Sequence, residues 1–104
     1  MEFIETLLFT ERIMDLLPDE DYANLQAFLM ENPQAGALIP AGGGLRKLRW
    51  KIFDRGKSGG IRIIYYLWSK NKLIMITAYS KLKQEHLTAD QLRVLREIMK
   101  GGVL

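Results

Sequence analysis

Residues 44–81 read GLRKLRWKIFDRGKSGGIRIIYYLWSKNKLIMITAYSK, and the fold turns on how these side chains alternate. Three runs have strand character. Residues 45–53 alternate polar with apolar, residues 61–68 are apolar and aromatic, and residues 72–80 are again largely apolar. These residue types suit a pleated, half-buried surface. Asn71 between Lys70 and Lys72 marks a tight turn, so the last two runs are expected to form a hairpin. The link from Asp54 to Gly60 (DRGKSGG) is longer and compatible with antiparallel pairing.

Upstream, residues 2–8 (EFIETLL) predict a short first strand. Thr10 is an expected N-cap for a helix over Glu11–Leu17, which Pro18 stops. The acidic run Asp19-Glu20-Asp21 suits the positive end of a second helix dipole. Tyr22, Leu25, Phe28 and Leu29 repeat at helical spacing behind it, and Asn32-Pro33 ends the run. Residues 34–44 (QAGALIPAGGG) read as a connecting loop, its Gly42-Gly43-Gly44 allowing a sharp reversal. Downstream, Thr88-Ala89-Asp90-Gln91 has the form of a capping box. It predicts a helix that turns Leu92, Leu95, Ile98 and Met99 inward and ends at Gly101-Gly102. The expected fold is α+β in the order β-α-α-β-β-β-α, a small twisted, mainly antiparallel sheet backed by helices. The 104 residues should form a single domain over 1–104, because two cores would each be too small.

Composition narrows the function classes. A hydrophobic fraction of 48% is too high for a disordered chain, and the absence of cysteine excludes disulfide scaffolds and thiolate metal sites. A single histidine leaves no His-rich zinc site, so neither a metal nor a cofactor is expected. The longest apolar runs fall far short of a membrane span, and Glu2 and Glu5 stand where a signal peptide would carry positive charge. A cytoplasmic protein with no membrane partner is the expectation.

The net charge of +3 averages two opposed segments. Residues 1–44 carry eight acids and one base, whereas residues 45–83 carry eleven bases and one acid, Asp54. A dense basic field draws in phosphates and releases their counterions, which points to a polyanion as partner. A solvated basic strand pair would have the same composition.

Strand alternation then sorts the bases. Leu48, Trp50 and Ile52 make one face of the first run, and Lys47, Arg49 and Lys51 the other. Ile61, Ile63, Tyr65 and Leu67 suit a core in the second run, with Arg62, Ile64, Tyr66 and Trp68 opposite. In the third, Ile74, Ile76 and Ala78 suit the core, with Met75, Thr77, Tyr79 and Lys81 opposite. If helices cover one face, the other gathers Lys47, Arg49, Lys51, Arg62, Tyr79 and Lys81 into a basic, aromatic-bearing surface.

Such a surface suits RNA. Aromatic side chains stack on unpaired bases, and cations hold the phosphates. RNA also supplies its own nucleophile, the 2′-hydroxyl, so cleavage needs only alignment, proton transfer and charge stabilisation at phosphorus. Lys47, Lys51 and Lys81 are candidate bases, because crowding by other cations favours the neutral amine. Arginine stays charged, so Arg62 can only stabilise or orient. His86 has the most suitable intrinsic chemistry. It lies beyond the last strand, however, where a surface or capping role weighs against a functional one.

With this element order, the strings GLRKLRW, GKSGGIRIIYYLW and ITAYSK resemble the RelE/ParE toxin superfamily over about residues 2–99. They are most similar to the HigB-type branch, in which the toxin gene precedes that of the antitoxin. The resemblance implies a small twisted sheet backed by helices, a cognate antitoxin that is a DNA-binding repressor, and mRNA cleavage in the ribosomal A site without metal. It assigns charge stabilisation at the scissile phosphate to Arg62, and base stacking or proton transfer to Tyr79 and Lys81. Lys47, Arg49 and Lys51 fall in the strand that supplies the basic pair, and Lys57 would reach the same phosphate or line ribosomal RNA. A full helix follows AYSK where an Arg/Tyr tail is the family pattern. The expected function is thus a toxin of a type II toxin–antitoxin system acting as a ribosome-dependent endoribonuclease. A ParE-like gyrase inhibitor and a non-catalytic RNA-binding module are the alternatives.

Overall fold

Thr6 ends the first strand and opens the first helix. Its hydroxyl accepts a hydrogen bond from the Phe9 amide (3.0 Å) and donates one to the Ile76 carbonyl (2.7 Å), so one buried side chain caps a helix and ties it to the sheet. The computed structural model, which describes residues 1–51, 60–84 and 86–100, accordingly has β1 at Glu2–Glu5 and α1 at Leu7–Leu16. The helix begins four residues before the expected start at Glu11. Thr10 is not its cap, and that hydroxyl bonds to Glu5 (2.6 Å) instead. Both threonines satisfy the local cap pattern, and only the long-range bond to Ile76 separates them.

Leu17 and Pro18 join α1 to α2 (Asp19–Glu31), which has its three acids in the first turn and stops at Asn32, as expected. Residues 34–44 hold more than a loop. Ala37–Leu38 form a two-residue strand, β2, antiparallel to β3 (Leu45–Trp50). So short a strand has too few positions to show an alternation. The reversal between them uses Gly43 (φ 66°) and Gly44 (φ 105°), the left-handed region where glycine is favoured. β4 (Ile61–Ser69) and β5 (Lys72–Ser80) form the expected hairpin, and α3 spans Ala89–Lys100. The capping box forms reciprocally, with the Gln91 amide donating to Thr88 Oγ1 and the Thr88 amide donating to Gln91 Oε1. The expected strand end at Ile52 and Phe53 and the stop at Gly101-Gly102 lie outside the described residues.

The sheet order is β1-β5-β4-β3-β2, antiparallel throughout except for the parallel β1–β5 edge. Its two faces carry two cores. Phe9, Ile13, Leu17, Leu25 and Leu29 of the α1–α2 pair pack on Leu48, Ile61, Ile63, Tyr65, Leu73, Met75 and Ala78. Leu92, Leu95, Ile98 and Met99 of α3 pack on the other side against Leu45, Ile64, Ile74, Ile76 and Tyr79. Helices therefore cover both faces, which corrects the expectation of one backed and one open face. The inward set of α3 is the one its periodicity predicted.

A register shift explains the other correction. Ile64 pairs with Thr77 but Tyr65 pairs with Met75, so Ile76 is an extra residue on β5. A bulge inverts the alternation on one side of it. Met75 thus joins the α1–α2 core, and Ile74 and Ile76 the α3 core, the reverse of simple parity. Beyond the bulge, Ala78 and Tyr79 occupy the faces that parity assigned.

Tyr65 fastens the 33–36 segment to this sheet. Its hydroxyl donates to the Pro33 carbonyl and accepts from the Gly36 amide, both at 2.8 Å, and burial pushes its phenol up. Burial also holds the Tyr22 phenol well above its ordinary value, helped by the Glu5 carboxylate that accepts a hydrogen bond from its hydroxyl. Because both folded-state values are raised, the stability they supply is complete below about pH 10 and declines as pH rises further. Urea unfolding followed from pH 8 upward should show that decline, and Tyr22→Phe should flatten it. Thr6→Val should cost about 1–3 kcal/mol by the same measurement, through loss of the cap and the Ile76 bond.

Candidate functional site

The pairing of three strands assembles the site. Arg49 of β3 is the partner of Arg62 on β4, and Arg62 is the partner of Tyr79 on β5. Facing residues on paired strands share one side of a sheet. Arg49, Arg62 and Tyr79 therefore form a row across the face that α3 partly covers. Lys47 lies on the same side, two residues back along β3 and opposite Ile64. Four of the residues singled out in the sequence are thus adjacent in space.

Lys51 and Lys81 belong to the next row, at the end of the sheet. The Lys81 amide donates to the Gly60 carbonyl (3.3 Å). A Cβ on Gly60 would lie 2.9 Å from the Lys51 Cα and 2.2 Å from the Trp50 oxygen, so the backbones of Lys51, Gly60 and Lys81 run side by side. Gly60, at φ 60°, permits this approach. Both lysines are exposed. Lys57 lies outside the described residues.

The row differs from an open surface in one respect. Arg62 and Tyr79 are only 3% and 5% exposed, because α3 and the segment before it fill this face of the sheet. Lys47 and Arg49 are more accessible. The cations grade from a solvent-facing edge to a buried guanidinium. Arg46, one residue out of phase, points to the other side and serves the fold, donating to the carbonyls of Gln34 and Gly36.

His86 joins this face, although its position beyond the strand gave little reason to expect it. Its Nδ1 lies 2.8 Å from Lys47 Nζ, across 39 residues of chain. The residues between β5 and α3 carry it back over the sheet, and that return is not encoded in any local periodicity.

On the far side of Tyr79 is a cavity of about 260 Å³ between α1, β5 and α3, with Leu8, Leu87 and Leu95 among its walls. Tyr79 lines this hollow, whose walls also include Arg12, Gln84, Asp90 and Gln91. Among the described residues, no helix is long and apolar enough to cross a membrane.

Arg49 and Arg62, directly opposite each other on neighbouring strands, bring two planar donor groups to one side of the sheet, and planar guanidinium donors match the geometry of a phosphodiester. Fold and row together define a small α+β protein with a row of basic residues across one face of its sheet. The family model of the RelE toxin of RelE/RelB toxin–antitoxin systems matches residues 25–103, from α2 through α3 and including every residue of the row. The chain belongs to the RelE toxin family, and a cognate antitoxin is the partner that membership implies.

Binding to a single-stranded oligoribonucleotide should weaken linearly in a plot of log affinity against log salt. Lys47→Ala and Arg49→Ala should each lower the magnitude of that slope by about 0.7, the value for one lost phosphate contact on a single strand. Glu11→Ala on the opposite face should leave the slope unchanged.

Proposed function

We propose that the protein is a HigB-type toxin and a ribosome-dependent endoribonuclease, acting in the cytoplasm on mRNA in the ribosomal A site. The reading is carried by the Arg49–Arg62 pairing, which places two guanidinium groups on adjacent strands beside Lys47. In this proposal the mRNA 2′-hydroxyl attacks the adjacent phosphate. The 2′-oxygen–phosphorus bond forms as the bond to the 5′-oxygen breaks, leaving a 2′,3′-cyclic phosphate and a 5′-hydroxyl.

Arg62 stabilises the charge that develops on the phosphoryl oxygens. Its burial favours that role, since a fixed cation away from bulk water acts more strongly than a solvated one and needs no reorganisation during reaction. Lys47 and Arg49, at the accessible edge, hold the flanking phosphates. Lys51 and Lys81 in the next row extend the track, and Tyr79 backs Arg62 within the α3 core. A DNA-binding repressor is the proposed form of the antitoxin.

Inducible expression of the wild type and of Arg62→Ala, followed by mapping of mRNA 5′ ends, tests the proposal. The wild type should arrest translation and produce new 5′ ends within codons, and Arg62→Ala should lose at least 100-fold in cleavage, about 2.7 kcal/mol of transition-state stabilisation. Growth arrest without new 5′ ends, with inhibition of supercoiling by purified gyrase, would instead identify a gyrase inhibitor.

A further inference from the structure

Trp68 is an exposed aromatic residue that packing does not account for. It is 54% exposed at the end of β4 and belongs to neither core, although tryptophan is highly buried on average. A second register shift puts it there. Leu67 pairs with Leu73 and Ser69 with Lys72, so Trp68 is an extra residue on β4. Such a bulge re-aims a side chain.

The indole and its turn are both braced. Glu2 of β1 stands opposite Lys72 in the ladder, yet the Lys72 ammonium lies over the indole, 5.2 Å from the ring centroid. The Glu2 amide donates to the Asn71 carbonyl (2.6 Å), and the Asn71 amide donates to Ser69 Oγ (3.4 Å). Residues 68–72 are all exposed. The turn therefore presents one aromatic ring together with the cations of Lys70 and Lys72.

That combination selects among partners. Lysine is depleted where proteins meet proteins. An unpaired base, in contrast, offers a π face to the indole, and the phosphates beside it take up the ammonium groups. Position then separates this RNA from the substrate. Arg62 and Trp68 are six residues apart on β4, about 20 Å at the usual strand rise. Lys51 and Lys81, which extend the proposed mRNA track, lie beyond Arg62 at the other end of the sheet. The turn is thus remote from that track and faces a second RNA.

We propose that the β4–β5 turn docks the protein on the ribosome. Trp68 stacks on an unpaired base of ribosomal RNA, Lys70 holds an adjacent phosphate, and Lys72 keeps the indole in place. The inference rests on the ribosome-dependent reading and names a surface through which that dependence acts.

Full-length Trp68→Ala, Trp68→Phe and Lys70→Ala, with melting temperatures matched to the wild type, test it. On vacant ribosomes Trp68→Ala should bind about 5–150-fold more weakly, the loss of one stacked base. Trp68→Phe should stay within about threefold of the wild type, because a phenyl ring keeps the stacking face. Lys70→Ala should lower the magnitude of the salt slope by about 0.7. Chemical probing of the ribosomal RNA should find an unpaired base protected by the wild type and by Trp68→Phe but not by Trp68→Ala. In single-turnover cleavage on programmed ribosomes, Trp68→Ala should raise the ribosome concentration needed for half the maximal rate. The maximal rate itself should stay within about twofold of the wild type, as for lost uniform binding.

Unchanged ribosome affinity in Trp68→Ala, no base whose protection depends on Trp68, or a loss confined to the maximal rate would each overturn the docking contact. A Trp68→Ala defect seen only in binding the cognate antitoxin would overturn it too and give the turn to a protein partner. If ribosomal cleavage still requires Arg62 in those cases, only the docking contact is wrong. A wild type that cleaves free mRNA as fast as ribosome-bound mRNA, or cleaves neither, overturns the ribosome-dependent reading and this inference together.

Discussion

The register of β4 between its two neighbours is the constraint on which the site depends. Arg62 has Arg49 on one side and Tyr79 on the other only because Ile63 pairs with both Leu48 and Ala78. Those three residues are buried in the α1–α2 core. A one-residue slip of β3 would turn Lys47 and Arg49 toward the α1–α2 core and take Leu48 out of it, a penalty far above that of moving an exposed contact. The apolar core of one face therefore positions the charges of the other. The bulge at Ile76 is part of the same arrangement. It lets the early half of β5 satisfy β1 and α1 while the late half presents Tyr79 to Arg62.

The two faces also differ in what covers them. The α1–α2 pair contributes Phe9, Leu25 and Leu29 to a fully enclosed core, along with Tyr65 from the sheet. On the other face α3 supplies one buried residue, Leu95, with Leu92, Ile98 and Met99 half-covered beside it. A helix held by so few enclosed contacts belongs to the less stable part of the fold. Its anchoring is partly polar, through the Thr88–Gln91 box and the Arg96 guanidinium on the Ala41 carbonyl. The cationic row thus lies under the weaker of the two layers, and the stronger layer maintains the sheet beneath it.

Much of this was legible in the residues. Alternation in 45–50 and 61–68 assigned Lys47, Arg49 and Arg62 to one face correctly, because both strands are regular over that stretch. The same rule failed for Ile74, Met75 and Ile76, all buried on one face or the other, since an apolar residue on either side of a doubly covered strand looks alike. The second cover was itself hard to infer: a helix periodicity shows which side of α3 is apolar but not which face of the sheet it meets. Thr6 and β2 were missed because a single long-range hydrogen bond and a two-residue pairing leave no periodic signal. The place of His86 was not legible for a related reason. Its relation to Lys47 is a tertiary contact made by a chain return, and a lone histidine outside a strand carries no geometry of its own.

The division of charge along the chain becomes a division across the sheet. Glu11, Asp15, Asp19, Glu20 and Glu31 are exposed on the α1–α2 layer, whereas Lys47, Arg49 and Arg62 gather on the other side. A layer about 10 Å thick separates packed sheets or helices from a sheet, comparable with the Debye length at physiological salt, so each face presents its own sign to solvent. A polyanion is then repelled from one side and drawn to the other before any contact forms. On the proposed ribonuclease reading that field orients the encounter, and the buried Arg62 acts after the RNA backbone has reached Lys47 and Arg49 at the edge. On that reading attraction and chemistry lie at different depths of one face, and the modest net charge of +3 reflects the acidic layer on the other.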